Sequence, residues 1–349
     1  MTAVVLRADA GPEIGAGHVM RSLALAQGLA EAGRRPIFAV GAGTGAVEAR
    51  LRAEGVDVAP ILAPSGSDED AEATTRIARD ARADWVVIDG YRFGAAYHRA
   101  VAAGGLRRLA IDDRGDAAAR EADLVVNQNL HAEAQLYGPA PRATLLLGPR
   151  YALLRKEFRA RSVPPRSVAA IARRLLVTFG GSDPRAMTER VLDAVDRLDP
   201  ALEVAVVVGA SNQRKDAIEE RCRRLRQPAR VLYDAHDMPA LMRWADVAVC
   251  SGGSTVWELA FMGLPALVGA TAPVEELLVR GLAVRGLFTP IASLPTAPPT
   301  VLATAIESLL GDPARRARMS ELGRSVVDGQ GVPRVVATMG EGRGGHGHS

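Results

Sequence analysis

A histidine set just behind a glycine-rich turn can serve a bound anion, and Gly15-Ala16-Gly17-His18-Val19-Met20-Arg21 has that order. Gly15 and Gly17 can take backbone conformations closed to other residues and let a ligand approach the main chain. The helix expected after them offers free N–H groups and a positive dipole end, an arrangement suited to phosphate. A neutral imidazole there titrates near working pH, so His18 is either a general base or a first-turn histidine with no task. The dinucleotide fingerprint GxGxxG fails, since its last glycine is Met20 and no acidic residue closes the run "PIFAVGAG" (36–43). No GK[ST] occurs, which excludes a P-loop.

Further loops carry polar groups. "CSGGSTVWELAFMGLP" (250–265) offers donors for a diphosphate from Ser251, Gly252, Gly253, Ser254 and Thr255. Glu258 either completes a capping box with Thr255 at the N-cap or accepts the vicinal hydroxyls of a ribose. In "TFGGSDP" (178–184), Gly180, Gly181 and Ser182 can face a ligand, whereas Asp183-Pro184 fits the N-cap and first position of a helix. Tyr91, after Asp89 and Gly90, is either a site hydroxyl or plain packing. Turn formation or capping accounts for Asp112-Asp113-Arg114. Asp68-Glu69-Asp70 looks like a metal-holding DxD, but acids suit the first turn of the helix it opens. No His/Cys cluster has zinc spacing, so neither a metal nor a cofactor is expected.

The elements that must position these loops are continuous apolar runs. They fall at 3–8, 36–40, 56–61, 85–89, 108–113 and 123–127, then at 174–179, 203–208, 229–233, 246–250 and 264–269. Continuous rather than alternating runs read as parallel strands buried on both faces. Amphipathic stretches such as "VMRSLALAQGLAEAG" (19–33), closed by Gly33, supply the crossovers. The expected fold class is α/β, with two doubly wound, Rossmann-like domains and ligands beyond the carboxyl ends of the strands. The expected domains are 1–160 and 170–335, joined around Pro164-Pro165, with a disordered tail over 336–349 that holds His346 and His348.

Composition narrows the partners. Across 349 residues the formal charge is +3, with 24% charged and 48% hydrophobic side chains, and no basic stripe has interleaved aromatics, so nucleic acid is not expected. Cys222 and Cys250 are too few for a disulfide framework and suit a cytoplasmic protein. "MTAVVLRADAG" lacks the charge pattern of a secretory signal, and no apolar run is long enough for membrane insertion. The sequence leaves the oligomeric state open.

Taken in order, "LRADAGPEIGAGHVMRSLALA", "VVIDGY", "AIDD", "ADLVVNQNL", "LGPRYALLRKEF", "LLVTFGGSDP" and "SGGSTVWELAFMGLPAL" resemble the PseG family, nucleotide-sugar hydrolases of pseudaminic acid biosynthesis. The likeness covers nearly all of residues 4–268. It implies a GT-B-like fold of two Rossmann-like domains facing a central cleft. It also implies hydrolysis of a UDP-linked 2,4-diacetamido-2,4,6-trideoxyhexose to UDP and free sugar. By resemblance His18 activates the water, Tyr91 lies in the active site, and Glu258 matches the ribose-binding carboxylate of MurG-type glycosyltransferases. One stretch departs from the family. After "GLPAL" the family shows an Asn-Gln pair, whereas Val268-Gly269-Ala270-Thr271-Ala272-Pro273-Val274-Glu275-Glu276 has neither residue. The implied chemistry is inverting and metal-independent. Its rivals are a glycosyltransferase of the same fold, with an acceptor hydroxyl in place of water, and a nucleotide-sugar sensor.

Overall fold

The apolar runs pair in parallel to form two sheets in the computed structural model, which describes residues 2–8, 10–11, 15–41, 45–139, 141–160 and 164–341. The first contains β1 (Ala3–Ala8), β2 (Arg35–Gly41), β3 (Asp57–Ile61), β4 (Ala83–Asp89), β5 (Arg107–Ile111), β6 (Leu124–Asn127) and β7 (Thr144–Leu147), in the order β3-β2-β1-β4-β5-β6-β7. The second contains β8 (Arg174–Thr178), β9 (Glu203–Val208), β10 (Ala229–Tyr233), β11 (Val247–Ser251), β12 (Ala266–Gly269) and β13 (Thr289–Ile291), in the order β10-β9-β8-β11-β12-β13.

Central strands are mainly apolar because neither face meets water. Val5 of β1 lies in register between Ile37 of β2 and Val86 of β4, and all three are buried. Each sheet reverses its direction of growth once, between β1 and β4 and between β8 and β11. Ligands of such sheets bind beyond the carboxyl ends at that switch point. Two edge strands escape the sequence reading. β13 contains Pro290, which an edge strand tolerates but which reads as a break, and β7 is only four residues long.

The helix after β1, Gly17–Glu31, ends in a Schellman motif. Gly33 takes φ +74°, its N–H donates to Ala30 O at 3.0 Å, and the Arg34 N–H donates to Leu29 O at 2.9 Å. The helix Asp68–Asp80 opens with the acidic run, and the Ser67 hydroxyl accepts the Asp70 N–H at 3.2 Å. Asp70 faces inward, where the guanidinium of Arg7 on β1 grips both its oxygens at 2.9 and 2.8 Å. Among the described residues no group of three or more His, Cys, Asp or Glu side chains is placed to hold a metal ion.

The chain resolves into two units. One comprises residues 1–11, 18–159 and 329 onward, the other residues 12–17 and 160–328. The terminal helix Gly331–Glu341 therefore belongs with the first sheet, not the second. The Trp85 indole N–H donates to Met339 O at 3.2 Å, and Gly331 lies so close to Ala152 that an added Cβ would stand 2.2 Å from its carbonyl oxygen. Two expectations are corrected by this helix. Residues 336–341 are helical rather than part of a disordered tail, and 331–335 pack with the first unit because Val332 and Val335 are fully buried there. His346 and His348 lie outside the described residues.

Gly28, inside the Gly17–Glu31 helix, gives the terminal helix its seat, since a Cβ there would lie 2.2 Å from Val332 Cγ1. Alanine is the better helix former by about 1 kcal/mol, but overpacking costs about 1–3 kcal/mol. Gly28→Ala is expected to lower the melting temperature, and adding Val332→Ala is expected to recover part of the loss. Calorimetry on the two variants checks this.

Candidate active site

His18 occupies the first turn after β1 and is 9% exposed. Its ring packs edge-on against Tyr91, with centroids 4.8 Å apart and planes at 84°. Tyr91 follows the end of β4 and is 45% exposed, so one face of this pair remains open. The Arg114 guanidinium stacks over the Tyr91 ring at 4.5 Å and pairs with Asp116 at 2.7 Å. Tyr91 is thus partly exposed at the carboxyl end of the sheet rather than buried in the core.

A buried ion cluster holds this pair from behind. Arg21, one turn beyond His18, donates from Nε and Nη2 to the two oxygens of Asp89 at 2.8 and 2.6 Å. Its Nη1 reaches both oxygens of Asp113, at 2.8 and 3.0 Å. The Ser22 hydroxyl adds a bond to Asp89 at 3.0 Å, the Tyr91 hydroxyl donates to Asp113 at 3.0 Å, and Asn129 Nδ2 donates to Asp113 at 2.9 Å. His131 Nε2 lies 2.9 Å from the Asp113 main-chain oxygen. These residues come from four carboxyl-end connections. β1 leads to His18 and Arg21, β4 ends at Asp89 and leads to Tyr91, β5 leads to Asp113, and β6 leads to Asn129 and His131.

Electrostatics follow from this geometry. Burial alone would lower the Arg21 guanidinium, but the charges of Asp113 and Asp89 outweigh it and keep the group fully charged. Burial alone would raise the Asp113 carboxyl, but the Arg21 charge and hydrogen bonds from Arg21 and Asn129 hold it well below the usual carboxylate range, with His18 contributing in the same direction. The Tyr91 phenol is pushed far above its ordinary value, first by burial and then by Asp113. At neutral pH it is a hydrogen-bond donor to Asp113, not a base.

Sequence reading missed Asp113, Asn129 and His131. Asp112 makes the turn, accepting the Gly115 N–H at 2.6 Å and the Tyr137 hydroxyl at 2.6 Å. Asp113 does not, because its carboxylate turns toward Arg21. The signal for Asn129 and His131 was their place just past β6, on the ligand side of the sheet.

In the second unit the glycine loops pack on one another. Gly15 takes φ +71°, and a Cβ on it would lie 3.5 Å from Ser182 Oγ. A Cβ on Gly181 would lie 3.0 Å from Ala16 Cβ, and one on Gly209 only 2.4 Å from Gly181 Cα. Close main-chain packing therefore explains Gly181 without a ligand. Gly17 has open space where a Cβ would stand. Asp183, at φ +44°, caps the helix Met187–Val195 by accepting the Met187 and Thr188 N–H groups, each at 2.8 Å. It caps from four residues ahead, so Pro184 is not the first helical residue as expected.

Beyond β11, Gly253 has no heavy atom closer than 3.8 Å to its would-be Cβ, whereas Gly252 is packed against Val279 and Glu275. The expected capping box does not form. Thr255 is already the first residue of the helix Thr255–Phe261, and Ser254 precedes it in helical dihedrals without a side-chain cap. Glu258 accordingly sits at the fourth helical position and is half-buried. After β12, where the PseG family carries Asn-Gln, Glu275 closes the loop by accepting the Thr271 N–H at 2.6 Å and its hydroxyl at 3.0 Å. Burial pushes this carboxyl upward.

Residues 174–269, from β8 to β12, match the glycosyltransferase family 28 C-terminal domain. Over its whole length the structure resembles crystal structures of known enzymes. It matches MurG of Acinetobacter baumannii with a TM-score of 0.68 and 18% identity, covering 98% of this chain and 100% of that one. The fold is GT-B. Spinosyn rhamnosyltransferase SpnG in complex with thymidine diphosphate gives a TM-score of 0.63 at 16% identity, covering 97% of this chain and 100% of that one. In sequence, the spore coat polysaccharide biosynthesis protein SpsG of Bacillus subtilis (strain 168) is 26% identical over 194 residues, 55% of this chain and 57% of that protein. The chain spans little more than half the length of the curated relatives it matches. Among the described residues no helix is long and apolar enough to cross a membrane.

Because the Asp113 carboxyl lies below its unfolded value of about 3.9, its stabilising contribution is complete above that pH and is lost as pH falls through the folded value. Asp113→Asn is expected to flatten the fall in stability below about pH 4. Urea unfolding across a pH series measures it.

Proposed function

We propose that this protein hydrolyses a UDP-linked sugar at its anomeric carbon, releasing UDP and free sugar. The observation that carries the reading is the imidazole of His18 at the carboxyl end of β1, fixed edge-on against Tyr91 with an anionic cluster behind it. A water oxygen forms the new bond to the anomeric carbon and the bond to the UDP oxygen breaks. His18 takes the water proton, and UDP leaves as an anion. A single base and displacement from the opposite face invert the configuration, so no second carboxylate is required.

A nucleotide-sugar donor is supported by the match of residues 174–269 to a glycosyltransferase C-terminal domain and by the thymidine diphosphate held by SpnG. In this reading the loop after β11 holds the diphosphate through Gly253, Ser254 and Thr255, and Glu258 takes the ribose hydroxyls. Ser182 and Gly181 form the neighbouring loop after β8, while Gly15 and Gly17 lead to His18. Oriented donors of this kind complement the charge that grows on the leaving phosphate, and no metal is required. The sugar is assigned as a 2,4-diacetamido-2,4,6-trideoxyhexose from the likeness to the PseG family.

The similarity to MurG and SpnG supports transfer to an acceptor hydroxyl equally, so the assay must separate water from acceptor. The substrate is UDP-2,4-diacetamido-trideoxyhexose, incubated with the purified protein, EDTA and no acceptor. Multiple turnovers to UDP and free sugar are expected. Binding without turnover, relieved by an acceptor extract, would establish a transferase instead. His18→Asn should retain UDP binding by calorimetry and lose at least about 100-fold in kcat; near-normal turnover would overturn the role of His18.

A further inference from the structure

Arg21 is shared between two carboxylates, so one guanidinium faces the charges of both Asp89 and Asp113. Among the described residues the cluster, one arginine with two aspartates, carries one net negative charge. Arg114 does not cancel it, because that side chain is paired with Asp116. Of the two acids Asp89 is the fully buried one, enclosed by Arg21 and Ser22, whereas Asp113 keeps some exposure and is the one that the Tyr91 hydroxyl reaches. Tyr91 is also the ring against which His18 packs. The unbalanced charge therefore stands on the His18 side of the cluster.

We propose that Asp113 is a positioning residue for His18: its carboxylate, locked by Arg21, Asn129 and Tyr91, fixes the Tyr91 ring that orients the imidazole and supplies the negative charge that favours its proton uptake. This rests on His18 acting as the base in the proposed reaction. A proton taken from water makes His18 cationic, and a fixed anion nearby stabilises that product without touching the substrate. Because three donors hold the carboxylate, it cannot swing away to compete for the sugar. Among the described residues, the titratable and charged groups around the imidazole are Arg21 on its own helix, Asp89 and Tyr91 after β4, Asp113, Arg114 and Asp116 after β5, and His131 after β6. Asp113 shares the Arg21 charge with Asp89, and of the two it is the one bonded to Tyr91.

Two independent readouts test this. The first is the acidic limb of the kcat/KM profile, and the second is the titration of the His18 ring, followed by NMR in protein carrying labelled histidine and assigned by His18→Asn. Asp113→Asn is expected to move both midpoints to lower pH by roughly one unit. Asn129→Ala, which removes a donor and leaves the Asp113 charge less matched, is expected to move both upward. A merely structural role for Asp113 would lower kcat without moving either midpoint, and unmoved midpoints in Asp113→Asn would overturn the proposal. If that variant fails to fold, Asn129→Ala decides: an upward shift supports the proposal, and no shift or a downward one overturns it. Failure of the underlying reading looks different, because the acidic limb would then persist in His18→Asn while the NMR midpoints still answer for Asp113.

Discussion

A guanidinium held between two carboxylates, away from water, is the constraint on which the first unit's ligand face depends. Arg21 has a fork that can grip a carboxylate with two parallel bonds, and here it does so with Asp89 while its remaining amino group bridges to Asp113. Each of these ions alone would be costly to bury, by several kcal/mol. Together they are tolerable, and the tolerance depends on β1, β4 and β5 ending in register. The cluster is thus a gauge of the sheet's alignment. A strand that slipped by one residue would turn Asp89 to the other face and leave Arg21 unmatched.

Elsewhere buried arginines do a different task. Arg7 locks Asp70, and with it the start of the helix Asp68–Asp80, onto β1. Arg316 is also buried but makes no ion pair with a carboxylate among the described residues. It donates instead to main-chain oxygens, including Leu309 at 2.8 Å, at the end of the helix Pro299–Leu310. A guanidinium carries five donors, which suits the unpaired carbonyls of a helix end. In an alanine-rich chain with few aromatics, such residues span gaps between elements that smaller side chains cannot fill.

How much of this was legible depended on the range of the interaction. The run 3–8 coincides with β1 because a strand buried on both faces leaves a local signature, and Gly33 marked its helix end for an equally local reason. Tyr91 and His18 were visible as types placed after strands. Their contact was not, since it joins two loops separated by the whole of β2 and β3. Asp113 was misjudged because its neighbour Asp112 satisfies the turn, and two adjacent aspartates look alike until one finds a partner 92 residues away. The same limit explains Gly181, whose lack of a side chain reads as room for a ligand but is taken up by Ala16. The Thr255–Glu258 spacing matched a capping box that the backbone, already helical at Ser254, has no use for.

The helix Gly331–Glu341 has a consequence for how the chain acquires its shape. It fills a groove on a unit whose other elements were all made before residue 160, so synthesis leaves that groove uncovered while the second sheet emerges. Gly28, Trp85 and Ala152 await partners at the far end of the chain. The second unit needs only the short segment 12–17 from outside its own stretch, and that segment has long left the ribosome. Domains made first usually mature first. Here the order is inverted, and the unit that carries His18 is completed only after residues 331–341 have been made.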